Sequence, residues 1–165
     1  MDAINYPLEE LVKIKYKRFE QAIKVVEEKK LALKQEEGIL ITLENERNKV
    51  LKHKNDKLKQ LRDALDAGEA PSEIIKKKRY LEVVKEELLE KEKKVKVQEK
   101  NVHEAEKKLE EARIELMAKQ KDVEKLKIHR SRWDKEMKYL EEQRMQVIQD
   151  EIGTSKHILK KKERK

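Results

Sequence analysis

Apolar residues recur every seven positions along most of this chain. In its second half Ile74, Leu81, Leu88, Val95, Val102, Leu109, Leu116 and Val123 form one series. Three residues on from Leu81 and its successors runs another: Val84, Ala105, Ala112, Leu126, Trp133, Leu140 and Val147, interrupted by Lys91, Gln98 and Lys119. These are the a and d stripes of a heptad. A strict seven-residue repeat drifts against the helical turn, so it predicts a left-handed supercoil around a partner helix. The first half carries Val12, Phe19, Val26, Leu33 and Leu40 at the same spacing, fails at Arg47, and resumes at Leu51, Leu58 and Leu65. That offset predicts a stutter, a local unwinding of the supercoil.

The one strong break is Asp66-Ala67-Gly68-Glu69-Ala70-Pro71-Ser72. Glycine just past a helix end and proline just inside a helix start are the expected punctuation. Helix 1 is expected over about residues 7–66, a turn at 67–70, and helix 2 over about 71–151. Folding near residue 69 brings position i opposite about 138 − i, and the two seams then meet layer by layer. Leu58 faces Leu81, Leu43 faces Val95, Val26 faces Ala112, and Val12 faces Leu126. The expectation is an all-α fold, two long helices in an antiparallel coiled-coil hairpin, with residues 1–165 as a single monomeric unit. A parallel homodimer is the rival, but short helix–helix loops usually join antiparallel neighbours. Helix 2 is expected to run on past helix 1 with Trp133, Met137, Leu140 and Val147 uncovered, then to stop at Asp150-Glu151-Ile152-Gly153-Thr154-Ser155. There Thr154 or Ser155 is expected to cap a short basic tail over 154–165.

Polar residues interrupt the middle of the seam. Arg47 is expected near Lys91 and Gln98 near Leu40, either to fix the register or to make a compliant joint. Tyr6, Trp133 and Tyr139 gather where the two termini meet, and Tyr80 flanks the seam near the turn. Trp133 sits at a d position, which suits core packing or a partner hot spot. Phe19 opposite Lys119 suits a cation–π pair. His53, His103, His129 and His157 show no metal-ligand spacing and read as solvated surface residues.

Composition narrows the function. Charged residues make up 47% of the 165 and apolar ones 36%, with three glycines, two prolines and no cysteine. Compact globular domains need about 45–50% apolar residues and more turn punctuation, so a cofactor-enclosing fold is not expected. No phosphate-binding glycine loop and no nucleophile–base constellation is legible, so the chain reads as a non-enzyme without cofactor or metal. No apolar run is long enough to span a bilayer. The opening Met1-Asp2-Ala3-Ile4-Asn5-Tyr6-Pro7 lacks the charged and apolar regions of a secretory signal, which points to the cytoplasm. The 43 Lys+Arg against 35 Asp+Glu leave a net +8. The signs are interspersed, except in Lys76-Lys77-Lys78-Arg79 and in the tail Lys156–Lys165. Interspersed charge suits solvated helix faces better than a nucleic-acid groove, and neither nucleic acid nor membrane insertion is expected.

Several segments together resemble a known family. Tyr6-Pro7-Leu8-Glu9 with Ile14-Lys15, Arg18 and Ala22–Lys29 is similar to the start of the type III secretion YscO stalk family, CdsO in its chlamydial branch. So are Asp66-Ala67-Gly68 before Ile74, then Lys77, Tyr80 and Val83-Val84. His129 with Trp133 and Glu136, followed by Asp150-Glu151-Ile152-Gly153, resembles the family's C-terminal signature. The resemblance covers essentially the whole chain and extends to the flagellar export protein FliJ and, in shape, to the γ stalk of rotary ATPases.

It implies an antiparallel coiled coil in the pore of the hexameric secretion ATPase, at the cytoplasmic face of the apparatus, whose far end reaches the cytoplasmic domain of the export gate. Some family members bind export chaperones. On this analogy the end near the termini enters the ATPase through Lys13, Lys17, Arg18, Lys24, Arg132, Trp133 and Lys135. The turn end faces the gate with Lys76, Lys77, Arg79 and Tyr80. Two rival readings remain: a chaperone-escort adaptor of the secretion system, and a nucleic-acid-binding coiled-coil arm. The first tolerates loss of the termini-proximal basic residues, and the second loses affinity steeply with salt.

Overall fold

The computed structural model describes residues 4–164; Met1-Asp2-Ala3 of the segment inspected for a signal, and Lys165 of the basic tail, lie outside them. Two helices account for nearly all of it, α1 over Glu9–Asp66 and α2 over Pro71–Glu163, and no strand occurs among the described residues. They pack antiparallel, as the doubled-back seam requires. Glu9 and Glu10 lie in the first turn of α1, where carboxylates complement the helix dipole.

The turn is built by two caps. Gly68 takes φ 69°, a left-handed conformation that costs a side-chain-bearing residue strain. Its N–H donates to Leu65 O at 3.2 Å and that of Glu69 to Ala64 O at 3.1 Å, the paired bonds that close a helix C-terminus. Two residues later the Ala70 carbonyl accepts from Glu73 N (3.0 Å) and Ile74 N (3.2 Å), and Pro71 sits at the first helical position, where its missing N–H costs nothing. The Lys77 ammonium donates to Glu69 Oε2 at 2.6 Å, tying α2 back to the turn.

The chain forms two compact units: Ala22–Leu116 is one, and the segments up to Gln21 and from Met117 onward make the other. In the Ala22–Leu116 unit the seam is lined by Leu61, Ala64, Leu81, Val84, Leu88 and Val95, with Val84 and Val95 essentially sealed from solvent. Val26, Leu109 and Ala112 form a buried cluster with Leu33 and Leu116 packed against it. Gln98, 6% exposed, is the polar member of the buried set; its Nε2 donates to the Glu36 carbonyl at 2.9 Å and to the Glu36 carboxylate at 2.5 Å, while its Oε1 accepts from Asn101. Lys91 pairs with Glu46 at 3.4 Å, and Arg47 turns to Asn48. No buried side-chain nitrogen or oxygen among the described residues lacks a partner. The polar seam is therefore satisfied, as a polar layer must be to hold a register.

Two expectations change. The stutter in α1 is not there. Leu40, Arg47, Lys54 and Leu61 continue one seven-residue series, and Leu43, Val50, Lys57 and Ala64 the other, and all eight are buried or half-buried. Of Leu51, Leu58 and Leu65, the residues expected to carry the seam after a stutter, Leu65 and Leu51 are 53% and 38% exposed and Leu58 is half-buried. The physical reason is that Arg and Lys lay aliphatic stems along the seam and keep their charged heads in water, so the heptad passes through them unbroken. The second change concerns the helix stop. α2 does not end over 150–155 but continues through Gly153 to Glu163. Thr154 does not cap a new helix; its Oγ1 donates back to the Asp150 carbonyl at 2.8 Å, within one continuous helix.

Candidate partner-binding surfaces

In the unit that contains both chain ends, Tyr6 precedes α1 and is only 5% exposed. Pro7 follows it and restricts its backbone to an extended conformation, which lets the ring fold back onto α2. Its hydroxyl is hydrogen-bonded to His129 Nδ1. Its ring meets Trp133 edge-to-face at 5.3 Å and lies 5.5 Å from the Arg130 guanidinium. Arg130 also pairs with Glu9 at 3.0 Å, and Lys15 with Asp122 at 3.4 Å. Together these contacts latch Tyr6 and the first turns of α1 to α2. Beside it a shallow groove of about 160 Å³ opens between Val12, Tyr16, Val123, Leu126, Lys127 and Arg130. Phe19 stacks edge-to-face on Tyr16 at 6.1 Å.

The basic residues expected at this end are distributed unevenly. Lys13, Lys17, Arg18, Arg132 and Lys135 are exposed on this unit, and Lys13 reaches Glu10 at 3.8 Å. Lys24, equally exposed, belongs to the Ala22–Leu116 unit. Trp133 is half-buried against Tyr6, and Tyr139 stands apart from both, accepting a hydrogen bond from Gln143 at 2.7 Å. Past Met137 every α2 residue to Glu163 is exposed, including Leu140, Val147, Ile152 and Leu159.

At the turn, Lys76 is paired with Glu73 at 3.4 Å and Lys77 with Glu69, while Arg79 is exposed. Tyr80 is half-exposed but engaged by α1: its hydroxyl is hydrogen-bonded to His53 Nε2 at 2.9 Å, and the Lys57 ammonium stands 5.3 Å from its ring centroid. His53 and His129 are thus tyrosine partners, not merely solvated residues; the heptad count could not show it, because neither lies on an a or d position. Among the described residues no group of three or more His, Cys, Asp or Glu side chains is placed to hold a metal ion. No helix is long and apolar enough to cross a membrane among those residues.

The YscO-like protein family matches residues 3–163. The chain belongs to the YscO-like family. A solved structure described as that of a YscO homolog, CT670, from Chlamydia trachomatis is 41% identical, with a TM-score of 0.92 over 97% of this chain and 99% of that one. No curated protein matches. Membership makes this YscO-like chain a type III secretion-associated protein, and its helical pairing is the one the resemblance implied. The latch residues Tyr6, His129 and Trp133 all fall within the matched span.

Proposed function

We propose that this YscO-like chain is the central stalk of the secretion machinery, seated in the pore of the hexameric export ATPase and linking it to the cytoplasmic domain of the export gate. The observation that carries this reading is the match to a YscO homolog over nearly the full length of both chains. The exposed basic side chains Lys13, Lys17, Arg18, Lys24, Arg132 and Lys135 support the ring contact, together with Trp133 at the latch. Cationic side chains that stay solvated give a long-range, loosely seated attraction to acidic loops, which suits turning better than locking. α1 and α2 differ in sequence, so six identical subunits around them meet six unequal surfaces. Differential contact of that kind biases the subunits among their states and changes turnover, with no chemistry contributed by the stalk.

Arg79 and the ring of Tyr80 are the residues proposed to meet the gate; Lys76 and Lys77, held by Glu73 and Glu69, shape that end. The site of action on this reading is the cytoplasmic face of the apparatus. The test is ATP turnover by the cognate ATPase titrated with purified protein. Wild-type protein is expected to bind and to raise turnover, and the triple variant Lys17→Glu/Arg18→Glu/Arg132→Glu to lose most of the effect while remaining helical. A wild-type protein that neither binds the ATPase nor alters its turnover overturns the proposal. A triple variant that still binds export chaperones but has no ATPase phenotype to lose favours the adaptor reading instead.

A further inference from the structure

From Arg47 to the turn, the α1 residues that face α2 are not the most apolar ones available. The seam there is made by Arg47, Lys54 and Leu61 on one line and by Val50, Lys57 and Ala64 on the other. Leu51, Leu58 and Leu65, also seven apart, form a third line beside it. Leu51 and Leu65 are 38% and 53% exposed, and Leu58 is half-buried. Three leucines thus flank a seam that holds three cationic side chains. Helix geometry puts the leucines within easy reach of it. Residues four apart lie about 40° apart around the axis, at about 100° per residue. Turning this part of α1 by about 40° carries the leucine line onto the first seam line, and Arg47, Lys54 and Leu61 onto the second. Val50, Lys57 and Ala64 swing out to the flank. Leu51 then comes beside Leu88, Leu58 beside Leu81 and Leu65 beside Ile74, with little sliding along the axis.

We propose that the turn-proximal part of α1 is a two-setting element, which rotates about its own axis between the observed seam and this leucine seam, with Tyr80 of α2 as the catch. What covers the leucine line in the second setting is α2 of the same chain. The observed setting is held by contacts that the rotation breaks. His53 Nε2 is hydrogen-bonded to the Tyr80 hydroxyl at 2.9 Å, the two rings meet edge-to-face at 5.8 Å, and Glu46 pairs with Lys91 at 3.4 Å. Rotation also brings Arg62 onto the flank beside Lys78, which like-charge repulsion opposes. The second setting gains the burial of three leucines and returns the Lys57 side chain to water, while it gives up Val50 and Ala64. The swivel has a place to occur. Leu40 to Leu51 is eleven residues, a spacing of about 3.67 per turn that lies close to the relaxed helix. Just before it the Thr42 hydroxyl donates to the Gly38 carbonyl at 3.1 Å, a back-bond that loosens a helix locally. At the other end the rotation displaces the α1 backbone by only about 1.6 Å, given a helix radius of about 2.3 Å, and the four-residue turn absorbs it. The two settings show different surfaces near the turn: leucines in one, Val50, His53 and Lys57 in the other. A partner that prefers either surface shifts the balance by its difference in affinity. Every residue involved belongs to the Ala22–Leu116 unit, and nothing here depends on the stalk reading.

The chain has no cysteine, so paired cysteines in the full-length protein report the setting without background. In dilute solution Val50→Cys/Leu88→Cys closes an intramolecular disulfide in the observed setting and Leu51→Cys/Leu88→Cys in the rotated one. Tyr80→Phe, which removes the hydroxyl that holds His53, is expected to raise the Leu51–Leu88 closure rate about threefold or more without raising the Val50–Leu88 rate. Lys57→Leu, which makes the observed seam apolar opposite Leu81, is expected to lower the Leu51–Leu88 rate by a similar factor. In the protein without cysteines, methyl relaxation dispersion is expected to show exchange on the microsecond-to-millisecond scale at Leu51, Leu58 and Leu65 and none at Val26 or Val102 of the same unit. A Leu51–Leu88 rate that neither substitution moves overturns the proposal. So does a rise of both closure rates together under Tyr80→Phe, which marks fraying of the turn end and not rotation, and so does the absence of exchange at all three leucines.

Discussion

Leu61 and Leu65 lie four residues apart near the end of α1 and are 7% and 53% exposed. An unbroken heptad places Leu61 in the seam and Leu65 beside it; a stutter after Leu40 leaves Leu61 in the seam, three residues on from Leu58, and brings Leu65 into it as well. Replacing each by alanine separates the two arrangements. The chemistry removed is identical, and the small helix-propensity change is the same at both sites, so it cancels in the comparison. Leu→Ala deletes three carbons, and at about 0.8 kcal/mol per buried methylene a fully buried leucine loses about 2.4 kcal/mol. The open sides of a two-helix seam let neighbours relax and limit the cavity term, so Leu61→Ala is expected to cost about 2–3 kcal/mol. Leu65, with half its surface in water, is expected to cost about 1 kcal/mol or less. Both residues belong to the Ala22–Leu116 unit, so one cooperative transition reports both. Urea unfolding followed by far-UV circular dichroism measures the difference, with the midpoint moving at constant slope for a genuine stability change. If Leu65→Ala destabilises as much as Leu61→Ala or more, the continuous register through Arg47 and Lys54 is wrong.

Further outcomes are expected from the glycines, the latch and the polar seam. Gly38→Ala and Gly68→Ala are expected to act in opposite directions although neither added methyl group meets a neighbour: the first removes a helix-interior glycine and adds about 0.5–1 kcal/mol of stability, the second forces alanine to φ 69° and costs about 1 kcal/mol, both read by urea midpoint. Gly153→Ala is expected to stiffen the α2 extension and raise helicity in circular dichroism, whereas a helix that truly stopped there would show no gain. Tyr6→Ala is expected to cost about 3 kcal/mol within its unit and to shift the fluorescence of Trp133, the single tryptophan, to the red as its ring contact is lost; Tyr6→Phe keeps the ring and is expected to cost about 1 kcal/mol. Gln98→Ala is expected to destabilise by about 1–2 kcal/mol, while Gln98→Leu is expected to be neutral or stabilising and to relax the register, seen as faster crosslinking between out-of-register cysteine pairs.

Much of the fold was legible because its two strongest signals are local. A seven-residue apolar repeat requires a partner helix, and Gly68 with Pro71 marks where the chain turns to supply it; α1 does end at Asp66 and α2 does begin at Pro71. Counting apolar residues alone failed where the seam is made of lysine and arginine stems, since a side chain that is apolar for four carbons and charged at its tip is scored as polar. Reading Gly153 as a stop overweighted a penalty of about 1 kcal/mol, which a helix already under way absorbs. Tyr6 is legible as an aromatic near the termini, but nothing local signals its burial: it sits before α1, where no periodicity operates, and its partners are 123 residues away and more. The proposed basic contacts with a partner leave no imprint on packing, because solvated lysines look alike whether or not something docks on them.

The two halves of the seam are unequal. α1 contributes Lys15, Lys29, Glu36, Arg47, Lys54 and Lys57 across its a and d lines, whereas α2 keeps its a line apolar from Ile74 to Val123 and confines Lys77, Lys91, Gln98 and Lys119 to its d line. On the ribosome α1 emerges first, and with polar residues on both of its lines it has less to gain from a neighbouring copy of itself than a fully apolar seam would. When α2 follows, its greasier column finds the waiting half already tethered across a four-residue turn, where the loop-closure cost is smallest. Zipping is therefore expected to start at Gly68 and proceed outward, with Tyr6 the last residue to be stowed.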